Sequence, residues 1–192
     1  EPFKDYIFLN KDNECSQVTL FQKNNELNLA IDFCHKDYLS LQKNNFFSQL
    51  NLSNLNLFWL LVEEISHFRL LITRAVADLK VSKLQLEFQA EIDKILLTYL
   101  FLDKQRTKPS LSKLCELSFS RCVLLPAHSS EFFLYEEASR WASVFWYNAK
   151  LAGLGRDWFM DSYPFQALLR KIYRSSFSDI NFHLSRLRRL KG

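Results

Sequence analysis

Glycine is nearly missing from this chain: three residues in 192, at positions 153, 155 and 192. Phosphate loops, dinucleotide fingerprints and nucleophile elbows need glycine where backbone must approach a ligand or turn sharply. None can exist before position 153, and Gly153-Leu154-Gly155 follows a predicted helix instead of opening one. Nucleotide-loop and Rossmann-type chemistry are excluded on this ground.

Other scarcities narrow the field further. The four cysteines (Cys15, Cys34, Cys115, Cys122) form neither a C-x-x-C pair nor a dense disulfide pattern. They read as reduced thiols and predict a cytoplasmic location. No apolar run reaches membrane-spanning length: LNLFWLLV stops at Glu63-Glu64, and ILLTYLFL ends at Asp103. No signal peptide is visible, although the chain opens without Met, which a removed leader would explain. Histidine is limited to positions 35, 67, 128 and 183, so any multi-histidine metal site has few ways to form. Ser66-His67 and Cys34-His35 are sequence neighbours whose side chains diverge, so neither is a nucleophile–base pair.

What is present is apolar and aromatic. Hydrophobic residues make up 48% of the chain and aromatic ones 15%, enough to build a sizeable core in a single domain. The net charge of +4 conceals an asymmetry. Ten of the basic and three of the acidic residues lie at or after Arg140, and the preceding 139 residues are net acidic. Such a basic end can attract nucleic acid, an anionic surface or an acidic protein.

The first 34 residues read as three strands, YIFLN, SQVTLFQ and ELNLAIDF, separated by NKDNE and KNN. Leu27, Leu29, Ile31 and Phe33 alternate with Asn28, Ala30 and Asp32, which predicts an antiparallel β-meander with one buried face. From about residue 36 the period becomes helical. A short helix is expected over 37–49, then a long one from Ser53 or Asn54 to about Lys80. Ser82-Lys-Leu-Gln85 is a capping box for a helix to about Asp103. Ser110 caps a short helix to about Phe119, and Ser129 or Ser130 starts a long one ending near Gly153. Pro164 opens a helix to about Arg174, and Ser178 caps a last one to Leu190. The fold class expected is α+β, mainly α: an antiparallel helical bundle carrying a small N-terminal sheet.

Glu64 stands out within this pattern. At about 100° per residue, Leu57, Leu60, Leu61, Phe68, Leu71 and Ala75 all fall within about 60° of it. Glu91 holds the same central place on the next helix, among Leu84, Phe88, Ile95, Thr98 and Leu102, with Glu87 and Lys94 on the flanks. Desolvating a carboxylate costs several kcal/mol, so a metal, a buried cation or a proton must meet these two.

Two readings follow, beside a small-molecule pocket in which Glu64 or Glu91 acts as general base and for which the sequence identifies no substrate. The first is a metal site. Glu64-x-x-His67 with Glu91 is half of the di-iron carboxylate bundle pattern, whose other half needs a second Glu-x-x-His. The fifth helix offers Glu137, but Arg140 stands where that histidine belongs. Asp179-x-x-x-His183 loosely resembles the late-helix pair of heme-oxygenase-like di-iron oxidases. The resemblance covers four or five residues, and the earlier ligands depart from that family's intervals. It implies iron or manganese held by Glu64, His67, Glu91, Glu137, Asp179 and His183, in a metal-dependent oxidoreductase. The second reading is a buried polar network in which Arg74, Lys94, Arg140 or Tyr135 answers the carboxylates, and Arg140 in the ligand's place favours it. On that reading no cofactor is expected.

The function expected is that of a non-enzymatic interaction or accessory protein. The loop GLGRDWFMDSY brings Arg156, Trp158, Phe159 and Tyr163 together, residue types that dominate interfaces. Arg170, Lys171, Arg174, Arg186, Arg188 and Arg189 supply a basic C-terminal surface for a protein partner, or alternatively for nucleic acid.

Overall fold

The structure is a computed structural model that describes residues 7–10, 16–23, 26–46, 48–107, 110–120, 130–149, 163–175 and 179–180. Among the described residues, three strands, β1 (Ile7–Asn10), β2 (Gln17–Lys23) and β3 (Glu26–Cys34), precede six helices. The helices are α1 (His35–Lys43), α2 (Leu55–Val76), α3 (Lys83–Lys104), α4 (Leu111–Ser120), α5 (Ser130–Ala149) and α6 (Tyr163–Arg174). The fold is therefore α+β and mainly α, as the periodicity predicts. Among the described residues no helix is long and apolar enough to cross a membrane.

The sheet departs from the expected meander. β2 and β3 form the antiparallel hairpin, but the order is β1-β3-β2 and β1 runs parallel to β3, with Ile7 opposite Ile31 and Asn10 opposite Cys34. At nine residues β3 is the longest strand, and it carries the buried residues Ala30, Ile31 and Phe33. From its central place it pairs with β2 over Glu26–Asp32 and with β1 over Ile31–Cys34. The sheet packs on α1 and α2.

Helix boundaries follow local chemistry. The Ser82 side chain accepts from the Gln85 backbone at 3.2 Å, and Ser110 accepts from Lys113 at 3.4 Å. The reciprocal half of the capping box is replaced, because the Gln85 amide reaches instead to the Ser175 carbonyl at 3.2 Å. α2 begins at Leu55 with Asn54 at the cap; the Asn54 side chain accepts from the Asn51 backbone and donates to Gln49, stabilising the preceding turn.

The scarcity of glycine shows at the helix ends. α2 stops at Val76, short of Lys80, because Asp78 adopts φ 51° and Leu79 N–H returns to Arg74 C=O at 2.9 Å. α3 ends in the same way: Arg106 has φ 59°, and Thr107 N–H reaches Leu102 C=O at 3.0 Å. Both are Schellman terminations with Asp or Arg in the left-handed position that glycine usually takes. α1 covers 35–43, shorter than expected, and the expected helix from Ser178 is described only at 179–180, where the backbone is helical.

α2 and α3 are antiparallel. Trp59 donates to Thr98 at 2.8 Å and Ser66 to Asp93 at 2.7 Å, while Arg74 and Gln85 meet at the Ser175 carbonyl, so positions rise on α2 as they fall on α3. α3 is enclosed, with α2 on one side and α4 and α5 on others. Toward α5 it contributes Phe88, Ile92 and Ile95 to a core with Ala138, Ala142, Phe145 and Trp146. Toward α2 its buried residues are largely polar.

Candidate functional site

Among the described residues, buried polar side chains are concentrated on α3. Gln85, Glu87, Gln89, Glu91, Asp93, Lys94 and Thr98 are all buried there. A helix enclosed by neighbours normally carries apolar residues all round. Polar groups survive in such a place only when each finds a partner, so the pairing can be followed residue by residue.

Glu91 is answered from two directions. Its Oε1 accepts from Lys94 Nζ at 3.0 Å, and its Oε2 accepts from the Ser118 hydroxyl of α4 at 3.1 Å. Lys94 also reaches Glu63 of α2 at 2.5 Å. Burial works to lower the Lys94 ammonium, but Glu63 and Glu91 overcome it and hold the group well above the ordinary lysine range. This is the lysine-bridged network expected of one of the two readings. Of the other cations considered for it, Arg74 donates to the Ser175 carbonyl just past the C-terminus of α6, where arginine complements the helix dipole. Arg140 pairs with Glu137 at 2.9 Å, one turn apart at the surface of α5, and Trp141 donates to the same carboxylate at 2.6 Å.

Glu64 is not answered in this way. It is 5% exposed, and its Oε2 has no hydrogen-bond partner among the described residues. Burial raises its carboxyl to about 7; His67 pulls it down, Glu63 and Glu87 push it further up, and Lys94 pulls weakly down. His67 Nε2 is also buried without a hydrogen bond, and it lies 3.6 Å from the Glu87 carboxylate, an ion-pair distance beyond hydrogen-bond reach. Burial lowers the imidazole, but Glu87, Glu63 and Glu64 more than reverse that, so it titrates above its usual value. Four carboxylates, Glu63, Glu64, Glu87 and Glu91, thus share one ammonium and one imidazole. The seam between α2 and α3 is short of positive charge.

The ligand-type atoms that converge here differ from the expected set. Among the described residues, Glu63, His67 and Glu87 bring one donor atom each within 4.8 Å of one another. Glu64 borders this group electrostatically, and Glu91 is joined to it through Lys94. Glu137 is instead engaged with Arg140 and Trp141. Asp179 is exposed, and His183 lies outside the described residues. The helix wheel singles out Glu64 because it centres the apolar arc, whereas the cluster forms along the flank of that arc, where Glu63 and His67 stand one turn apart.

A second polar centre lies further along the same seam. The Asp93 carboxylate accepts from Ser66 of α2, from Gln89 at 3.0 Å and from the Tyr173 hydroxyl of α6. Burial raises its pKa, partly offset by these three donors and by Arg69. Asp93 forms the floor of a 430 Å³ cleft between α2 and α6. Val62, Ile65, Leu96, Leu97 and Leu169 make its apolar walls, and Arg69, Arg170 and Arg174 stand around it. Arg69 lies over the Tyr173 ring at 5.0 Å, and Arg170 donates to Gln166 at 3.1 Å. No carboxylate pairs with any of the three arginines among the described residues.

Of the basic residues expected to bind a partner, Arg170 and Arg174 enter this cleft, while Lys171 is exposed and not part of its lining. Arg156, Trp158, Phe159, Arg186, Arg188 and Arg189 lie outside the described residues, and Tyr163 is described only as the first residue of α6. Sequence reading passed over Arg69, Asp93 and Tyr173. The only signal for them was a polar residue on each of two neighbouring helices, which a single wheel does not connect. Comparison of the chain with protein-family models, curated proteins and solved structures finds no match. The functional reading therefore rests on these two centres.

Proposed function

We propose that the protein is a binding protein that seats an acidic segment of a protein partner in the cleft between α2 and α6. The observation that carries this reading is the convergence of Arg69, Arg170 and Arg174, from two helices, on one largely apolar cleft whose own carboxylate is already bonded to three donors. Apolar walls with a few placed charges are the usual constitution of a recognition site. Ile65, 45% exposed, gives a partner's apolar side chain an accessible wall, and the guanidinium groups give its carboxylates forked donors. Tyr173 and the Arg74–Ser175 contact hold α6 against α2 and α3, so the two walls keep a defined spacing.

The test uses a fluorescent peptide that alternates glutamate with leucine, titrated with the full chain. The double variant Arg170→Glu, Arg174→Glu is expected to lose at least about tenfold in affinity, and Lys171→Glu to change it much less. Leu169→Asp should abolish peptide binding as well. A single-stranded oligonucleotide that binds more tightly than the peptide, with a steep salt dependence and no sensitivity to Leu169→Asp, would replace the peptide reading with backbone-phosphate binding.

A further inference from the structure

We propose that Glu63, His67 and Glu87, with Glu64 beside them, form a site for a single first-row divalent cation in the seam between α2 and α3. Two independent observations carry it. The first is donor geometry. Three ligand-type atoms lie within 4.8 Å of one another, two from successive turns of α2 and the third from across the seam. Metal–ligand bonds of about 2.0–2.2 Å draw donors to this order of separation.

The second observation is unmet polarity. Glu64 is 5% exposed, and among the described residues neither its Oε2 nor the buried imidazole Nε2 of His67 has a hydrogen-bond partner. Native proteins leave few such atoms, and each calls for a specific explanation, an ion among them. Glu64 interacts electrostatically with all three members of the donor group, so one cation there would relieve every unmet group together. Lys94 does not fill this role. Its ammonium is divided between Glu63 at 2.5 Å and Glu91 at 3.0 Å, and it makes no hydrogen bond to Glu64, His67 or Glu87. A carboxylate carries a second oxygen, so Glu63 can serve lysine and metal at once.

The donor set selects the ion. Carboxylates with one imidazole suit Mn²⁺, Fe²⁺, Co²⁺ or Zn²⁺, and among the described residues no thiol joins the group to favour a thiolate-seeking ion. Three protein donors also leave coordination positions for water or a small ligand. This differs from the di-iron arrangement, which requires two histidines and draws on Glu91 and Glu137.

The experiment titrates the untagged full chain, first stripped with chelator, with Co²⁺ and with Mn²⁺. Co²⁺ should bind at one equivalent with micromolar or tighter affinity and develop visible absorption. His67→Ala and Glu87→Gln should each weaken binding by at least about tenfold, and Glu137→Gln should leave it unchanged. Mn²⁺ titrated into the wild-type chain should broaden the imidazole proton resonances of His67 before those of His35, a readout that does not depend on a variant folding. Absence of binding at millimolar metal overturns the proposal. So does unchanged affinity in folded His67→Ala, or broadening that begins at another histidine.

Discussion

The two sides of α3 solve the same burial problem in opposite ways. Toward α5, Phe88, Ile92 and Ile95 meet Ala138, Ala142, Phe145 and Trp146, and removal of apolar surface from water holds the helices together. Toward α2, Glu87, Asp93 and Lys94 meet Glu63, Glu64, Ser66 and His67, where each charge adds stability only if a partner offsets its desolvation. The apolar seam gains energy from any well-packed pair, whatever the pH. The polar seam depends on which protons and cations are present. A protein that needed only a stable bundle would gain by making both sides alike, since apolar replacements of buried ion pairs are often neutral or stabilising. Keeping one side ionic fits a seam used for binding.

Substitutions on the two sides should therefore separate by pH dependence more than by size. Phe88→Ala, at a position with no exposure, is expected to cost about 3–5 kcal/mol at any pH between 5 and 8, followed by denaturant unfolding. Lys94→Met strands Glu63 and Glu91 and is expected to cost a similar ~3–5 kcal/mol near neutral pH. That cost comes from uncompensated charge and should vary with pH, whereas the cost of Phe88→Ala should not. If both substitutions cost the same at every pH, the distinction between the seams fails. A smaller effect sharpens it: Ser66→Ala removes one of three donors to Asp93 and should cost about 1 kcal/mol at pH 8 and less in acid. Thermal or urea unfolding at the two pH values resolves the difference.

Much of this organisation was legible from residues. Ser82, Ser110 and Pro164 marked helix starts because capping and proline geometry are local. Glu64 announced itself because a carboxylate at the centre of an apolar arc must be met by a metal, a buried cation or a proton. What escaped was non-local. Asp93 and Gln89 lie on the face of α3 away from Glu91, and their burial follows only from the packing of neighbouring helices around α3. Arg69 comes to line one cleft with Arg170 and Arg174 only in the folded chain, where Tyr173 meets Asp93 and Ser175 meets Arg74, 80 and 101 residues apart in sequence. The sheet escaped for the same reason. Alternation identifies a strand's faces but not its neighbours, and β1 chose the far edge of β3.

The central claim is that, among the described residues, the α2–α3 seam buries more carboxylates than its cations answer, and the buried Glu64 reads it out. Its carboxyl rises from 4.5 to about 7 on folding, so the folded state holds that proton more tightly than the unfolded chain. The resulting stability is fully present below about pH 4.5 and is lost as pH climbs to about 7. His67, also raised, acts in the same direction, its contribution disappearing as pH rises through its folded value. The decisive measurement is unfolding free energy from pH 4.5 to 8, with chelator present, for wild type and Glu64→Gln. Wild type should lose about 3 kcal/mol at this group across the range. The glutamine variant should fall less steeply and be the more stable protein at pH 8. Parallel curves, or a variant less stable than wild type at pH 8, would contradict the account.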